Sequence, residues 1–319
     1  MDYETIRETP LTAIGAYTVH PKRKNIAFGR WAIPVMARMM QNPDVLQKRK
    51  ALQSMCDYVF DSRRVASKEF LRIVPVLKSL ADDTDASVRN KLAECFAAIA
   101  ATAAGRRQFE KQHFYTEVLK LLDDENEEVR KSTSEVLERI ALSPFCAESL
   151  VKAGAIAKLI NRIPEETEDV LVPLLQTLHI CCLLDPDKGL LANGLEILMP
   201  LLKSSHPRVR EKAATVFKDL TVEAKGRNQA LELSALNLLL ELCNDEDELV
   251  QMKALSAVMM IAIATPARFI AIEKNAINKI LPLLNSSRTE IRLNSLKVME
   301  NREAHGFILP QLRLPKYKS

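Results

Sequence analysis

The chain has 319 residues, of which 47% are hydrophobic, 27% are charged and only 5% are aromatic. Its 45 Lys and Arg residues exceed its 41 Asp and Glu residues by only four. The chain therefore lacks the strong basic excess that is typical of nucleic-acid-binding proteins, which argues against that class. No secretory signal stands in the first twenty residues, and the most apolar stretch, residues 254–264, is shorter than the roughly 20 residues of a bilayer-spanning helix. We therefore expect a folded cytosolic protein with no membrane or nucleic-acid partner.

The first segment, residues 1–25, lies outside the repeating pattern of the rest of the chain. It contains a short basic run after Pro21, so Lys22, Arg23 and Lys24 are candidates for contact with a partner or for a nuclear signal. The alternative is a solvated tail without a role. We treat residues 1–25 as an N-terminal basic arm.

Residues 26–300 contain an internal repeat of about 41 residues, marked by a Val-Arg dipeptide. The first residues of successive markers are 42, 41, 41, 39, 41 and 41 positions apart. The marker reads Leu46-Gln47, Val88-Arg89, Val129-Arg130, Val170-Leu171, Val209-Arg210, Val250-Gln251 and Ile291-Arg292.

Other positions keep a constant distance from the marker, which supports a repeated structural unit. Apolar residues stand eleven before it, for example Leu77 and Val118, and eight after it, for example Phe96 and Leu137. Polar pairs such as Asp83-Thr84, four to five residues before the marker, are expected to cap the helix that follows. Each unit predicts a short helix, a polar turn and a longer helix that begins near the marker.

A further break follows each long helix and leaves room for a third helix in the unit. Three helices in about 41 residues are typical of armadillo repeats, and the two-helix HEAT unit is the close alternative. We therefore predict an all-α, right-handed α-solenoid of about seven three-helix repeats. The six cysteines mostly replace apolar residues of the helical pattern, which indicates reduced core residues rather than disulfides or metal ligands.

The long helices supply the candidate partner-binding residues, because stacked repeats present one helix of each unit on an extended inner surface. The positions expected to face solvent there are Glu94, Glu135, Arg139, Thr215, Asp219 and Ser256. The alternative is that these are ordinary solvent-facing residues.

Catalytic and cofactor-binding patterns do not stand out. The five histidines lie far apart, without H-x-x-x-H or H-E-x-x-H spacing, and the chain has no G-x-S-x-G, Walker-type or dinucleotide-binding glycine motif. His179 precedes Cys181 and Cys182, but its place in a long helix favours a packed histidine over a metal ligand. We expect no enzyme activity, no cofactor, no metal and no small-molecule substrate.

The first unit resembles a known family. The residues in question are Ile26–Gly29, Ala32–Pro34, Asn42–Asp44, Lys48–Leu52 and Cys56-Asp57. In this order they are similar to the first repeat of the radial spoke head 14 homologue family, armadillo proteins of motile cilia and sperm flagella. The resemblance implies a non-catalytic structural subunit of the axonemal radial spoke that binds other spoke proteins in the cytoplasm, cytoskeleton and cilium.

The C-terminal tail, residues 301–319, departs from that family, whose last repeats continue in helical form. Importin-alpha-like armadillo proteins form a second contrast, because they carry Trp and Asn four residues apart on their inner helices. The Asn positions hold residues such as Ala98, Arg139 and Asp219 here, and Trp31 is the one tryptophan, so binding of nuclear signals is not expected. A cytosolic armadillo adaptor for another assembly, or for peptide transport, is the alternative function.

Overall fold

The computed structural model describes residues 29–300 and contains α-helices, short 3-10 segments and no strand in that range. The predicted arm (1–25, with Lys22, Arg23 and Lys24) and tail (301–319) lie outside the described residues. The helices are α1 (Ala32–Met40), α2 (Val45–Val59), α3 (Ser62–Val65), α4 (Lys68–Leu71), α5 (Val74–Ser79), α6 (Ala86–Ala100), α7 (Ala103–Gln112), α8 (Tyr115–Leu121), α9 (Glu127–Ala141), α10 (Pro144–Lys152), α11 (Ala155–Arg162), α12 (Glu168–Leu184), α13 (Pro186–Leu191), α14 (Gly194–Leu198), α15 (Pro207–Leu220), α16 (Ala224–Glu232), α17 (Ala235–Leu242), α18 (Glu248–Ile261), α19 (Thr265–Glu273), α20 (Ala276–Ile280) and α21 (Thr289–Glu300).

Seven long helices mark the repeated units, which we number 1 to 7 in the order α2, α6, α9, α12, α15, α18 and α21. From unit 3 onward, two shorter helices precede each long one, and in unit 2 the first of them is broken into α3 and α4. The marker lies in the first turn of every long helix; Val88, for instance, is the third residue of α6. The three-helix solenoid is therefore confirmed, and the two-helix alternative is wrong.

The long helices pack side by side in chain order, each on the next, from α2 through α21. Their marker valines Val88, Val129, Val170 and Val209 are completely buried, and so are the aromatic rings of Phe96 and Phe217 eight residues later. Removing one such side chain from water stabilises the fold by about 2 kcal/mol. One continuous core thus runs through all the units, and each unit is buried by its neighbours.

The turn before each long helix corrects one sequence prediction. The capping residues are Asp85, Asn126 and Asp247, which accept hydrogen bonds from backbone N–H groups in the first turn. The acids of the predicted polar pairs stand two residues earlier. Asp124 for example accepts from the backbone N–H of Asn126 at 2.9 Å. The predicted pairs therefore orient the cap residue, and the cap itself lies one or two positions later.

An arginine closes the turn from the other side. The Nη1 group of Arg89 donates to the carbonyl oxygens of Asp83 (2.8 Å) and Thr84 (3.2 Å), six and five residues before it. Arg130, Arg210 and Arg292 make the same pair of bonds in their units. These carbonyl groups belong to turn residues outside the helices, and the guanidinium supplies hydrogen-bond donors to them.

Arginine also donates hydrogen bonds to backbone carbonyl groups just after the long helix. Arg106 donates to the carbonyl oxygens of Ala100 (2.9 Å) and Ala101 (3.3 Å), and Arg268 bonds Ala262 and Ile263 in the same way. At this joint the backbone of Gly105 lies very close to that of Ile99. A Cβ atom on Gly105 would stand only 1.6 Å from the carbonyl oxygen of Ile99. Both ends of α6 are thus fixed by arginine, and glycine is required where α7 begins.

Candidate partner-binding surface

Ion pairs between neighbouring units hold the long helices in register. Beyond its two carbonyl contacts, Arg89 of unit 2 binds Asp124 of unit 3, with Nη2 2.8 Å from Oδ1. Arg210 binds Asp245 of unit 6 in the same two-bond geometry, at 2.7 and 2.8 Å. Lys48 with Asp83 and Arg130 with Glu166 join units 1 and 2 and units 3 and 4. The acidic partners are nearly enclosed, and we call this row the interunit ladder.

Two of the ladder carboxylates, Asp124 and Asp245, have lowered pKa values in the folded chain. Burial acts to raise the pKa of Asp124, but hydrogen bonds from Arg89 and from the backbone of Asn126 outweigh it, and the net pKa is lowered. The pKa of Asp245 is lowered for the same reasons, with Arg210 as the charged partner. These side chains serve as fixed joints, so they are not free to bind a partner.

The joint between units 4 and 5 is built differently. Leu171 stands where the arginine would be, and Ser204 stands where the acid would be. Here His179 of α12 pairs through Nδ1 with Oδ2 of Asp219 in α15. The other oxygen, Oδ1, lies 2.9 Å from Lys218 Nζ but accepts no well-directed hydrogen bond. His179 is therefore an interunit packing residue, as the helical context predicted.

The six candidate positions on the long helices differ in their exposure to solvent. Glu94, Glu135 and Arg139 are exposed as predicted, and Ser256 is half-buried, where it accepts a hydrogen bond from Asn294 of the next unit. The exposure predicted for the remaining two, Thr215 and Asp219, is wrong.

Both errors have a local cause. Thr215 is only 5% exposed, and its short side chain turns back to donate to the carbonyl oxygen of Glu211. Asp219 is only 1% exposed because His179 and Lys218 enclose it. Neither side chain offers a surface to a partner in this conformation.

A groove of about 330 Å³ brings Glu135 and Arg139 together with residues of two further units. It runs from the end of α9 across the starts of α12 and α15, and its charged lining is Glu135, Glu138, Arg139, Glu168, Asp169, His206 and Arg208. Four carboxylates thus face two arginines. Glu135, Glu138 and Arg139 take part in none of the ion pairs within residues 29–300, which leaves their charges available to a partner.

Sequence reasoning found only part of this groove, which we call the α9–α15 groove. Glu168, Asp169 and Arg208 lie at the starts of long helices, and acidic residues are common there as solvated helix ends. The 41-residue period places these helix starts in neighbouring units, and only the packing of α9, α12 and α15 brings them to one groove. A second groove, of about 650 Å³, contains Asp82, Asp123 and Asp124, but lysines and Arg89 already pair with those carboxylates.

The units at the C-terminal end offer a different surface. Met252, Met259 and Met260 of α18 are half-buried, while Leu293 and Leu296 of α21 are 47% and 52% exposed. Unit 7 thus exposes two large apolar side chains, in contrast to the charged side chains that line the groove of units 3 to 5.

Three further features of residues 29–300 concern metal binding, membrane spans and thiols. No group of three His, Cys, Asp or Glu side chains in that range could hold a metal ion, and none of its helices has the length and apolar character to cross a bilayer. All six cysteines are free thiols, five of them buried. Burial raises the pKa of Cys181 and of Cys243 to about 12.

Known proteins provide an independent comparison at the level of the fold. No profile of a known protein family matches the chain. Among solved structures, an engineered protein superposes with a TM-score of 0.76 at 21% identity, covering 86% of this chain and 69% of its own. Computationally designed armadillo repeat proteins for modular peptide recognition superpose with a TM-score of 0.66 at 20% identity over 71% of this chain and 98% of theirs.

A third similar structure is a designed armadillo repeat protein in complex with the peptide (KR)4. It has a TM-score of 0.65 at 20% identity, covering 71% of this chain and 98% of its own. At these identities the likeness concerns the fold. Together with the three-helix units and the continuous core, it shows that the chain is an all-α solenoid of armadillo-type repeats.

Proposed function

We propose that the chain is a non-catalytic scaffold of the radial spoke in motile cilia and flagella, and that it binds another spoke protein through the α9–α15 groove. The resemblance of the first unit to the radial spoke head 14 homologue family supports the location. The observation that carries the binding role is the groove itself, because unpaired carboxylates and Arg139 lie in one concavity.

The helices that form the groove are held by joints between their units. Arg130 with Glu166 joins units 3 and 4, and His179 with Asp219 joins units 4 and 5, so the spacing of α9, α12 and α15 is set before any partner arrives. A surface that is already arranged loses little conformational freedom on binding, which favours affinity.

Asp169 and Glu168 already pair with Lys131 and His206. The groove charges without an ion-pair partner within residues 29–300 are therefore those of Glu135, Glu138, Arg139 and Arg208, which favours a partner segment that carries both basic and acidic side chains.

Charge reversal in the groove tests the proposal. The double variant Glu135→Lys, Arg139→Glu keeps the local charge sum but inverts its pattern, and we expect at least a tenfold loss of capture of axonemal proteins. The matched control is Lys203→Glu, Glu241→Lys, two exposed residues on the short-helix side of units 5 and 6. Equal capture by both double variants would exclude the groove as the binding site.

The ciliary role has its own test. Expressed in ciliated cells, the unchanged chain is expected to remain with axonemes after a high-salt wash, and the groove variant is expected to appear in the soluble fraction. An unchanged chain that is entirely soluble would reject the radial spoke role and leave the groove as the site of another cytosolic partner.

A peptide adaptor is the second candidate, favoured by the two groove carboxylates, Glu135 and Glu138, that have no ion-pair partner within residues 29–300. The structure of a designed armadillo protein with the peptide (KR)4 makes this peptide a suitable probe. Because the chain lacks the repeated Trp and Asn residues of the importin-alpha-like proteins, we expect fluorescence anisotropy to show no binding of (KR)4 at micromolar concentrations. Binding that the groove variant abolishes would favour the adaptor.

A further inference from the structure

The last long helix, α21, exposes a face that is buried in every other unit. Five residues after the start of the marker, the earlier long helices carry side chains with no exposure at all. These are Ala51, Ala93, Ser134, Leu175, Ala214 and Leu255. The corresponding residue of α21 is Leu296, and it is 52% exposed.

Contacts in the other units show what buries this face. Asn90, two residues after its marker valine, accepts a hydrogen bond from Ser132 of the next unit at 2.7 Å. The equivalent residue of unit 6, Met252, lies against Asn294 of unit 7. The face that contains these positions therefore points to the following unit. In α21 it presents Leu293 and Leu296, with no following unit among residues 29–300.

We propose that residues 307–314 of the same chain cover this face of α21 and act as the cap of the solenoid. The segment reads Phe-Ile-Leu-Pro-Gln-Leu-Arg-Leu, with five apolar side chains in eight positions. It follows α21 after a link of only six residues, 301–306, which spans up to about 20 Å when extended. Leu296 stands one helical turn before the end of α21, so the segment reaches it easily.

A cap from the same chain explains the face better than a second copy does. A stable interface between two copies buries about 800 Å² on each side, and two half-exposed leucines supply only a small part of that. A segment joined by six residues is held at a millimolar effective concentration, so a small apolar contact is enough. The cap goes beyond the proposed radial spoke role and does not depend on it.

Hydrogen exchange of the α21 amides tests the proposal in the full chain. The tail variant changes Phe307, Ile308 and Leu309 to Ser, and the face variant changes Leu293 and Leu296 to Ser. We expect each to raise the exchange rates of α21 at least fivefold. The two combined are expected to exchange no faster than the face variant alone, because they remove the same contact.

The control variant is Leu142→Ser, Leu183→Ser, which alters two leucines of similar exposure in units 3 and 4. It is expected to leave α21 exchange within twofold, and unchanged exchange in α6 will show that each variant is folded. A tail variant without effect on α21 would overturn the cap. So would a mass of two chains in light scattering that the face variant reduces to one, because a second copy would then cover the face.

Discussion

Two joints of the solenoid perform the same task with different chemistry. Between units 2 and 3, Arg89 clamps Asp124 with two hydrogen bonds and also holds two carbonyl groups of its own turn. Between units 4 and 5, Leu171 and Ser204 replace that pair, and His179 meets Asp219 at the other end of the helix. A repeat can therefore lose its charged joint at one end of a helix when the opposite end gains one.

The first joint should be the more costly one to break. Asp124→Ala leaves the Arg89 guanidinium largely buried without its counter-charge, and we expect a loss of about 3 kcal/mol in the free energy of unfolding. Urea denaturation measures it. Asp82→Ala is the control, because its pair with Lys120 is exposed on both sides and contributes at most about 0.5 kcal/mol. Similar losses in the two variants would mean that the ladder does not hold the units together.

The second joint should tolerate the same change better. Asp219→Ala removes a buried carboxylate, but the side chains of His179 and Lys218 are partly exposed and can then hydrogen-bond water, so we expect a loss of about 2 kcal/mol. The exposed pair of Asp187 with Lys225 supplies the control variant Asp187→Ala. Urea denaturation at pH 7 measures the loss for each variant. A larger loss for Asp219→Ala than for Asp124→Ala would contradict our comparison.

The first joint should also be transferable to the second. Ser204 accepts a hydrogen bond from the backbone N–H of His206 as Asp124 does from Asn126, so Ser204→Asp fits the turn. We expect Leu171→Arg alone to destabilise the chain, because Leu171 is buried. When Leu171→Arg is combined with Ser204→Asp, we expect a double-mutant cycle to give a favourable coupling free energy of about 1 kcal/mol between the two substitutions. Strictly additive effects would show that unit 5 does not place the acid within reach.

Acid should weaken the first kind of joint by a smaller amount. The folded pKa values of Asp124 and Asp245 are lowered, so their stabilisation is present above the ordinary aspartate pKa of about 3.9 and is lost as the pH falls through the lower folded values. The urea midpoint is expected to fall between pH 5 and pH 3. Asp245→Asn should flatten that decline relative to the unchanged chain, and an identical pH profile would remove Asp245 from the ladder.

The fold was predictable because the 41-residue period repeats every structural signal six times. Marker, apolar positions and turn could be checked against one another from Val88 to Ile291. The ladder was present in the sequence as well: the base after the marker and the acid before the next one occur together at Arg89 and Asp124, and they are lost together at Leu171 and Ser204. Charge pairing across one period is the signal that would have found it.

The exposure of single residues was harder to predict. Thr215 and Glu94 occupy equivalent positions, yet one is buried and the other exposed, because a short hydroxyl side chain bonds its own helix while a longer carboxylate extends into water. The α9–α15 groove depends on three helices whose starts lie about 40 residues apart. Their relative placement follows from packing, which a linear pattern does not contain.

The hydrogen bonds and ion pairs of the arginines affect how the number of units in such an array can change. Both carbonyl partners of Arg106 stand within six residues of it, so this bond is copied intact whenever a unit is duplicated. The acid that Arg89 binds stands 35 residues away, in the next unit. A duplicated segment of one full period brings an arginine for the unit after it and an acid for the unit before it. Gain or loss of whole periods therefore restores matched ends, and insertion of a partial period leaves an arginine facing no acid.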